Sequence, residues 1–324
     1  MPHSMSFTSS TIKKLILLPL LSALLVFAPA PPQAHAKSYK IAKTEISATL
    51  GQDGQMQVQE KRTYDFNGSF SFAYLQINTH PDPSKEPGRS ASYKLSNFQL
   101  CDEQICYDQL EPAQGENLKT PNSFYVDPKS DRHFIKWFCR ANNQQKDFTL
   151  SYTIENAITR HTDTDELYWQ FIGADWDESH HQVFVQLDLD FIKLDDAQFG
   201  DQLQAWLHGQ TGGTVSISNP NTITFQIDKL NSGNFFEGRV LFPHGTFANA
   251  ATGILSRERI QEQEQRFIRQ TQRKELWNIG LVMLQAVSNL GIVSFIILEV
   301  IKRLKYGRGE RHGVWHRSNR PIVV

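Results

Sequence analysis

Signatures of catalysis are the first thing this chain lacks. Gly-x-Ser-x-Gly and Ser-x-x-Lys have no usable instance, and His-Glu-x-x-His is absent. Gly212-Gly213 is a lone turn rather than a loop that could cradle phosphate. Glycoside hydrolysis needs two carboxylates paired in space, and nothing in the sequence selects a pair. The expectation is therefore a non-enzyme with no catalytic residue, cofactor or metal, with hydrolysis kept as the weakest of three readings. Cysteine is scarce too: Cys101, Cys106 and Cys139 allow at most one internal disulfide and leave one thiol over. Cys101 and Cys106 flank a short turn, and a bridge between them suits an oxidising compartment, with two unpaired thiols as the alternative. Cys139 ends an apolar run and reads as a small buried hydrophobe.

Net charge is also missing, but only in the sum. Residues 37–247 hold 18 Lys+Arg and 28 Asp+Glu, a balance of −10, whereas the remainder holds 33 − 18 = 15 and 34 − 28 = 6, a balance of +9. An acidic body lacks the cationic surface that phosphate backbones require, which argues against a nucleic-acid partner. Basic residues flanking apolar stretches are a membrane pattern.

Two such stretches exist. Residues 15–27 follow Lys13 and Lys14, are too short to span a bilayer comfortably, and lead through Pro29, Pro31 and Pro32 to Ala34-His-Ala36. That is a signal peptide over residues 1–36, cleaved after Ala36. Residues 276–298 carry no charge and suffice for a transmembrane helix, assigned to 276–301 as the contact with the lipid bilayer. Trp277 marks one interface, and Lys302, Arg303, Lys305 and Arg308 open a basic tail, 302–324. The expected topology is single-pass in the cell membrane, with the N-terminal domain outside and the tail cytoplasmic. Gln285, Ser288 and Asn289 share one face of the span. Contact with a second membrane helix and local satisfaction by water or backbone are both open for them.

Between these stretches helical periodicity is nearly absent. Strand-like runs recur at 46–50, 56–60, 63–66, 70–74, 93–100, 134–138, 148–154, 168–171, 183–189, 214–217, 222–227 and 238–242. Asn67-Gly68 signals a two-residue turn. Short strands at this spacing predict an all-β ectodomain over 37–248, a β-sandwich of immunoglobulin-like architecture. The one weak helical candidate lies at 196–207. Residues 256–275 are helix formers without Gly or Pro, so one continuous helix from about Ser256 to Lys305 is expected, its polar juxtamembrane part, bounded as 249–275, running into the membrane as a solvated stalk.

Several segments together resemble a family of bacterial membrane proteins catalogued as domain-of-unknown-function family 2207. They are Asp53-Gly-Gln-Met-Gln-Val-Gln-Glu60, Tyr64-Asp-Phe-Asn-Gly68, Phe148-Thr-Leu-Ser-Tyr152, Glu166-Leu-Tyr-Trp-Gln-Phe-Ile-Gly173 with Trp176, and Val240-Leu-Phe-Pro243. The resemblance implies an extracytoplasmic N-terminal β domain followed by membrane helices, and it brings no activity or site residue. It also implies further spans after the first, whereas the last residue is Val324; a short variant and a truncated frame are both expectations.

The densest polar and aromatic stretch runs from His161 to His181. Asp163-Thr-Asp165 lacks the glycine and terminal glutamate of a calcium loop, and His180 and His181 point to opposite faces of any strand. Tyr168, Trp169, Asp175 and Trp176 remain as a candidate ligand patch. The leading expectation is a membrane-anchored interaction or envelope-assembly module with a protein partner or self-association. The alternative is a carbohydrate- or cell-wall-binding module stacking sugars on Trp169 and Trp176, against the plainer account in which Trp169 plugs the sandwich core and Trp176 covers a strand end.

Overall fold

The computed structural model describes residues 37–189, 203–219 and 221–306. The signal peptide over 1–36, the tail beyond 306 and most of the 196–207 segment lie outside the described residues. β1 (Ser38–Leu50) turns into β2 (Met56–Asn67), and β3 (Ser69–Asn78) follows at once. After a loop come β4 (Lys94–Cys101), β5 (Asp108–Leu110), the short helix α1 (Pro112–Leu118), β6 (Ser123–Pro128), β7 (Arg132–Asn142) and β8 (Gln145–Glu155). The chain continues through β9 (Ile158–Arg160), β10 (Thr164–Ile172) and β11 (His180–Asp188). Then follow β12 (Gln204–Gly209), β13 (Thr214–Asn219), β14 (Thr222–Leu230), β15 (Phe236–Pro243), β16 (Ala251–Thr252) and the long helix α2 (Arg257–Tyr306).

Period-2 alternation decides which faces meet. In β2, Met56, Val58, Glu60, Arg62, Tyr64 and Phe66 all turn inward while Gln57, Gln59 and Lys61 face solvent. That strand sits inside a seven-stranded sheet of order β13-β14-β11-β1-β2-β8-β4, in which β1 and β11 run parallel. Its inner face packs on two smaller sheets, β12-β15-β10-β9-β16 and β3-β7-β6-β5, through one continuous apolar core. Trp137 of β7 bridges to Tyr64 at 6.2 Å and Phe148 at 5.3 Å between ring centroids. Phe171 of β10 meets Phe225 of β14 at 5.7 Å, tying the five-stranded sheet to the same core. Two charges are enclosed with it. Arg62 pairs with Glu60, which also accepts the Tyr152 hydroxyl, so neither is left as an uncompensated buried ion.

Every strand-like run of the sequence falls on a strand, with Tyr93 and Leu189 just outside β4 and β11, yet three local expectations change. Asn67-Gly68 closes no hairpin: β2 pairs with β1 and β8, while β3 pairs with β7 in another sheet. Gly68, at φ +100, turns a corner between layers. Within the 196–207 helical candidate, residues 204–207 belong to strand β12, which pairs with β15. The helix begins at Arg257, next to the expected Ser256, but the juxtamembrane region bounded as 249–275 is not helical throughout, because Ala251–Thr252 pair with β9 as strand β16. Gly54 belongs to this arrangement: at φ +81, a Cβ there would stand 2.1 Å from the Asn249 carbonyl oxygen. Cys101 and Cys106 are joined in a disulfide across the turn from β4 to β5. Cys139 is buried, and burial raises its thiol to about 11.

Candidate functional site at the head of the membrane helix

The outer face of the five-stranded sheet is a grid of polar side chains. Strand pairing sets Tyr168 opposite Arg239, Gln170 opposite Glu237, and Glu166 opposite Leu241. On the far side of β15, Trp206 lies opposite Arg239 and His208 opposite Glu237. Alternation sends these residues outward, where a soluble sheet would meet water. Here the first turns of α2 cover them. Ser256 starts the helix by accepting the Arg259 N–H, and Ile260 closes a small apolar cluster with Leu241, Leu255 and Trp206. The expected solvated stalk is thus, over its first turns, a docked element. The reason is that Ile260, Glu264 and Phe267 recur at helical spacing and find a complementary sheet face.

A chain of buried ionic contacts holds the dock. His161 Nδ1 accepts the Leu255 N–H at 3.2 Å, which leaves Nε2 to donate to Glu166 at 2.7 Å. Gly253 makes this possible, since a Cβ there would fall 2.3 Å from His161 Nδ1. Glu166 also accepts from Arg239 Nε. Arg239 reaches across to the helix, donating to Glu264 at 2.7 Å and to Gln263 at 3.2 Å. Burial works to raise the Glu166 carboxyl, but Arg239 and His161 outweigh it and hold it below the usual glutamate value. Arg239 is held up by Glu166 and Glu264 against its own burial. On the helix side, His208 Nε2 lies 3.1 Å from Glu264 Oε2, with no hydrogen bond between them.

Beside the clamp opens a cleft of about 420 Å³, bounded by β10, β12, β15, the 84–85 loop and α2. Its floor is Glu237, whose four acceptor positions are all used: Lys85 at 2.8 and 2.7 Å, Tyr168 at 2.9 Å and Gln170 at 2.9 Å. Tyr168, Phe235, His208 and Phe267 form aromatic walls. Past Phe267 the helix stands away from the sheet, and a second groove of about 350 Å³ opens on its other side, over the β12–β13 turn. Among the described residues no group of three or more His, Cys, Asp or Glu could hold a metal ion.

Behind the cleft, Glu86 is buried and burial pushes its carboxyl up to about 7 despite Arg89 at 3.0 Å. The Tyr93 hydroxyl faces Glu86 at 2.9 Å and the Tyr168 carbonyl at 2.6 Å. A proton on Glu86 completes that chain, because Tyr93 has one hydrogen and two acceptors to serve.

The sequence-derived patch is divided by this geometry. Tyr168 faces the cleft, whereas Trp169, its neighbour, points to the opposite side and is closed within the core against Tyr93. Asp175 is exposed beside Arg132 at 3.4 Å, and Trp176 covers Arg62 with its ring centroid 5.2 Å from the guanidinium carbon. The two tryptophans present no shared surface. Gln285, Ser288 and Asn289 lie on the exposed membrane-length part of α2. Sequence reasoning passed over Glu237, Arg239, His208 and Glu264. Arg239 left one readable sign, a lone cation in the apolar run Phe235-Phe-Glu-Gly-Arg-Val-Leu-Phe242, which demands a buried counter-charge.

Helix α2 has 50 residues, about 75 Å at 1.5 Å per residue. Its most apolar 18-residue window has a mean hydropathy of 2.2, and none of that window is buried against the rest of the chain. A β-rich domain seated on the head of one such helix defines a membrane-anchored class of protein. The chain belongs to the family described as predicted membrane protein (DUF2207), whose N-terminal domain model matches residues 40–242. No curated protein matches it significantly. Among solved structures, leukotriene A4 hydrolase from Saccharomyces cerevisiae is similar at a TM-score of 0.38 and 8% identity, over 68% of this chain and 33% of that one. An M1 zinc metallopeptidase from Deinococcus radiodurans is similar at 0.32 and 9% identity, over 62% and 42%. The chain spans about a third to two fifths of these proteins, and likenesses this distant carry no argument about activity.

Proposed function

We propose that the protein is a non-enzymatic envelope-assembly module, in which a β domain and its own membrane helix act as one rigid body toward a partner in the membrane. The observation that carries this reading is the buried clamp from His161 through Glu166 and Arg239 to Glu264. A domain that merely needed tethering would be served by a flexible linker; burying charges to fix its angle costs desolvation and makes sense where orientation matters. In this reading residues 1–36 direct export, the β domain lies outside, and 302–324 is cytoplasmic. The large sheet packed over two smaller ones supports a sandwich of immunoglobulin-like type. Gln285, Ser288 and Asn289 supply hydrogen-bonding groups for a neighbouring helix.

Replacing Gln285, Ser288 and Asn289 together by Leu tests it. Membrane insertion and the fold of the β domain should persist while partners that co-purify in mild detergent, or the self-associated form, are lost. Identical co-purification from the triple variant refutes the assembly role of that face.

A further inference from the structure

We propose that the cleft between the five-stranded sheet and α2 binds a small soluble organic anion, a carboxylate or phosphate carried on a flat or apolar body. This site is separate from the membrane-helix face and stands whether or not that face assembles. The volume, about 420 Å³, falls in the range of small-molecule sites. The chemistry follows from which hydrogen-bonding capacity is left over. Glu237 is saturated, and Glu264 lies between two cleft groups, its Oε1 accepting from Arg239 and its Oε2 3.1 Å from His208 Nε2. The charged groups with capacity left over are two cations, Arg266 and Lys85. Arg266 at the mouth has only Glu262 near it, at 3.8 Å, and Glu262 is taken by Arg259 at 2.7 Å. Lys85 has a third proton beyond the two given to Glu237, and its ammonium lies 4.7 Å from the Phe235 ring centroid. His208 contributes an aromatic wall, its Nε2 turned toward Glu264 Oε2 at 3.1 Å.

Cations with capacity left over, beside a carboxylate whose acceptors are filled, favour an anion, and a guanidinium binds carboxylate or phosphate through two parallel hydrogen bonds. Tyr168, Phe235 and Phe267 then offer faces to a ring or aliphatic body rather than to a bare inorganic ion. The source is set by height. Arg266 precedes Leu276, the start of the apolar run, by ten residues, about 15 Å along the helix. The headgroup layer on one side of a bilayer is about 5–7 Å deep. The cleft therefore opens above the lipid, to solution.

The test uses the full chain in neutral phosphatidylcholine nanodiscs with phenyl phosphate as probe, followed by ligand-observed NMR titration. Benzylamine and inorganic phosphate serve as comparators. Phenyl phosphate should bind saturably, and benzylamine and inorganic phosphate each about tenfold more weakly or not at all. Arg266→Gln should weaken phenyl phosphate about tenfold, the loss of charge-assisted hydrogen bonds, while Arg269→Gln, on the same helix but outside the cleft, leaves it unchanged. Absence of saturable binding, benzylamine binding as tightly, or equal weakening by the two arginine variants overturns the proposal. Repeating the titration with phosphatidylglycerol in the nanodisc separates the sources: unchanged affinity supports a soluble anion, and competition overturns that in favour of a lipid headgroup.

Discussion

Arg239→Met is the perturbation that asks most of the clamp. Methionine keeps the length and the apolar stem of the side chain but removes the guanidinium between Glu166 and Glu264, both closed to solvent. Removing one member of a buried ion network costs about 3–5 kcal/mol, mainly because the remaining charges lose their partner. For a domain of this size each kcal/mol moves the midpoint by about 2–4 °C, so the Tm should fall by about 6–20 °C. Glu264→Met cuts the same link from the helix side and leaves Arg239 with Glu166, so its loss should be smaller. The double variant decides the matter. If one contact joins helix to sheet, the two losses overlap and the coupling energy is about 1–3 kcal/mol. Thermal unfolding of the full chain in neutral detergent, followed by near-ultraviolet circular dichroism, gives all three values. Hydrogen exchange at residues 258–267 should rise in each variant. Strict additivity with unchanged exchange would mean that Ile260 alone docks the helix head and that the ionic clamp holds nothing.

Two further outcomes follow from single groups. Glu86 keeps its proton to about pH 7 in the folded chain against 4.5 ordinarily, so folding binds a proton between these values and stability falls as pH rises through them, by about 3 kcal/mol. Glu86→Gln lacks this slope, so its Tm relative to wild type should climb between pH 5 and pH 8; a difference constant with pH refutes the assignment. Reducing the Cys101–Cys106 disulfide opens a short loop worth about 2 kcal/mol, and the Tm should drop by about 4–8 °C. Cys139 should stay unlabelled by iodoacetamide in the folded protein before and after that reduction.

The strands were legible because one-sided burial writes a period of two into β2, β8 and β14. Their pairing was not, since Asn67-Gly68 has the same local chemistry whether it closes a hairpin or turns a corner between sheets. Short strands such as β9 and β16 carry too few residues to show any period. The membrane-length helix was plain from residues 276–298, but its docked head was hidden by polarity. Arg, Glu and Gln look solvated in a linear reading, and only the outward face of β15 reveals that Glu264 meets a buried cation. The candidate patch divides for a related reason: Tyr168 and Trp169 are neighbours in sequence and therefore on opposite sides of their strand, and Trp169 takes the plainer core role.

An uninterrupted helix also fixes a phase. From Glu264, which faces the sheet, to Gln285 the helix winds about 5.8 turns at 3.6 residues per turn, so Gln285 comes round to within about 60° of the docked side. The azimuth of the β domain and that of the polar membrane face are thereby locked together, like the bit and the bow of a key. Any neighbour that grips Gln285 and Asn289 in the bilayer meets one particular flank of the domain above it, and the spacing of residues between the two faces carries positional information independent of their identity.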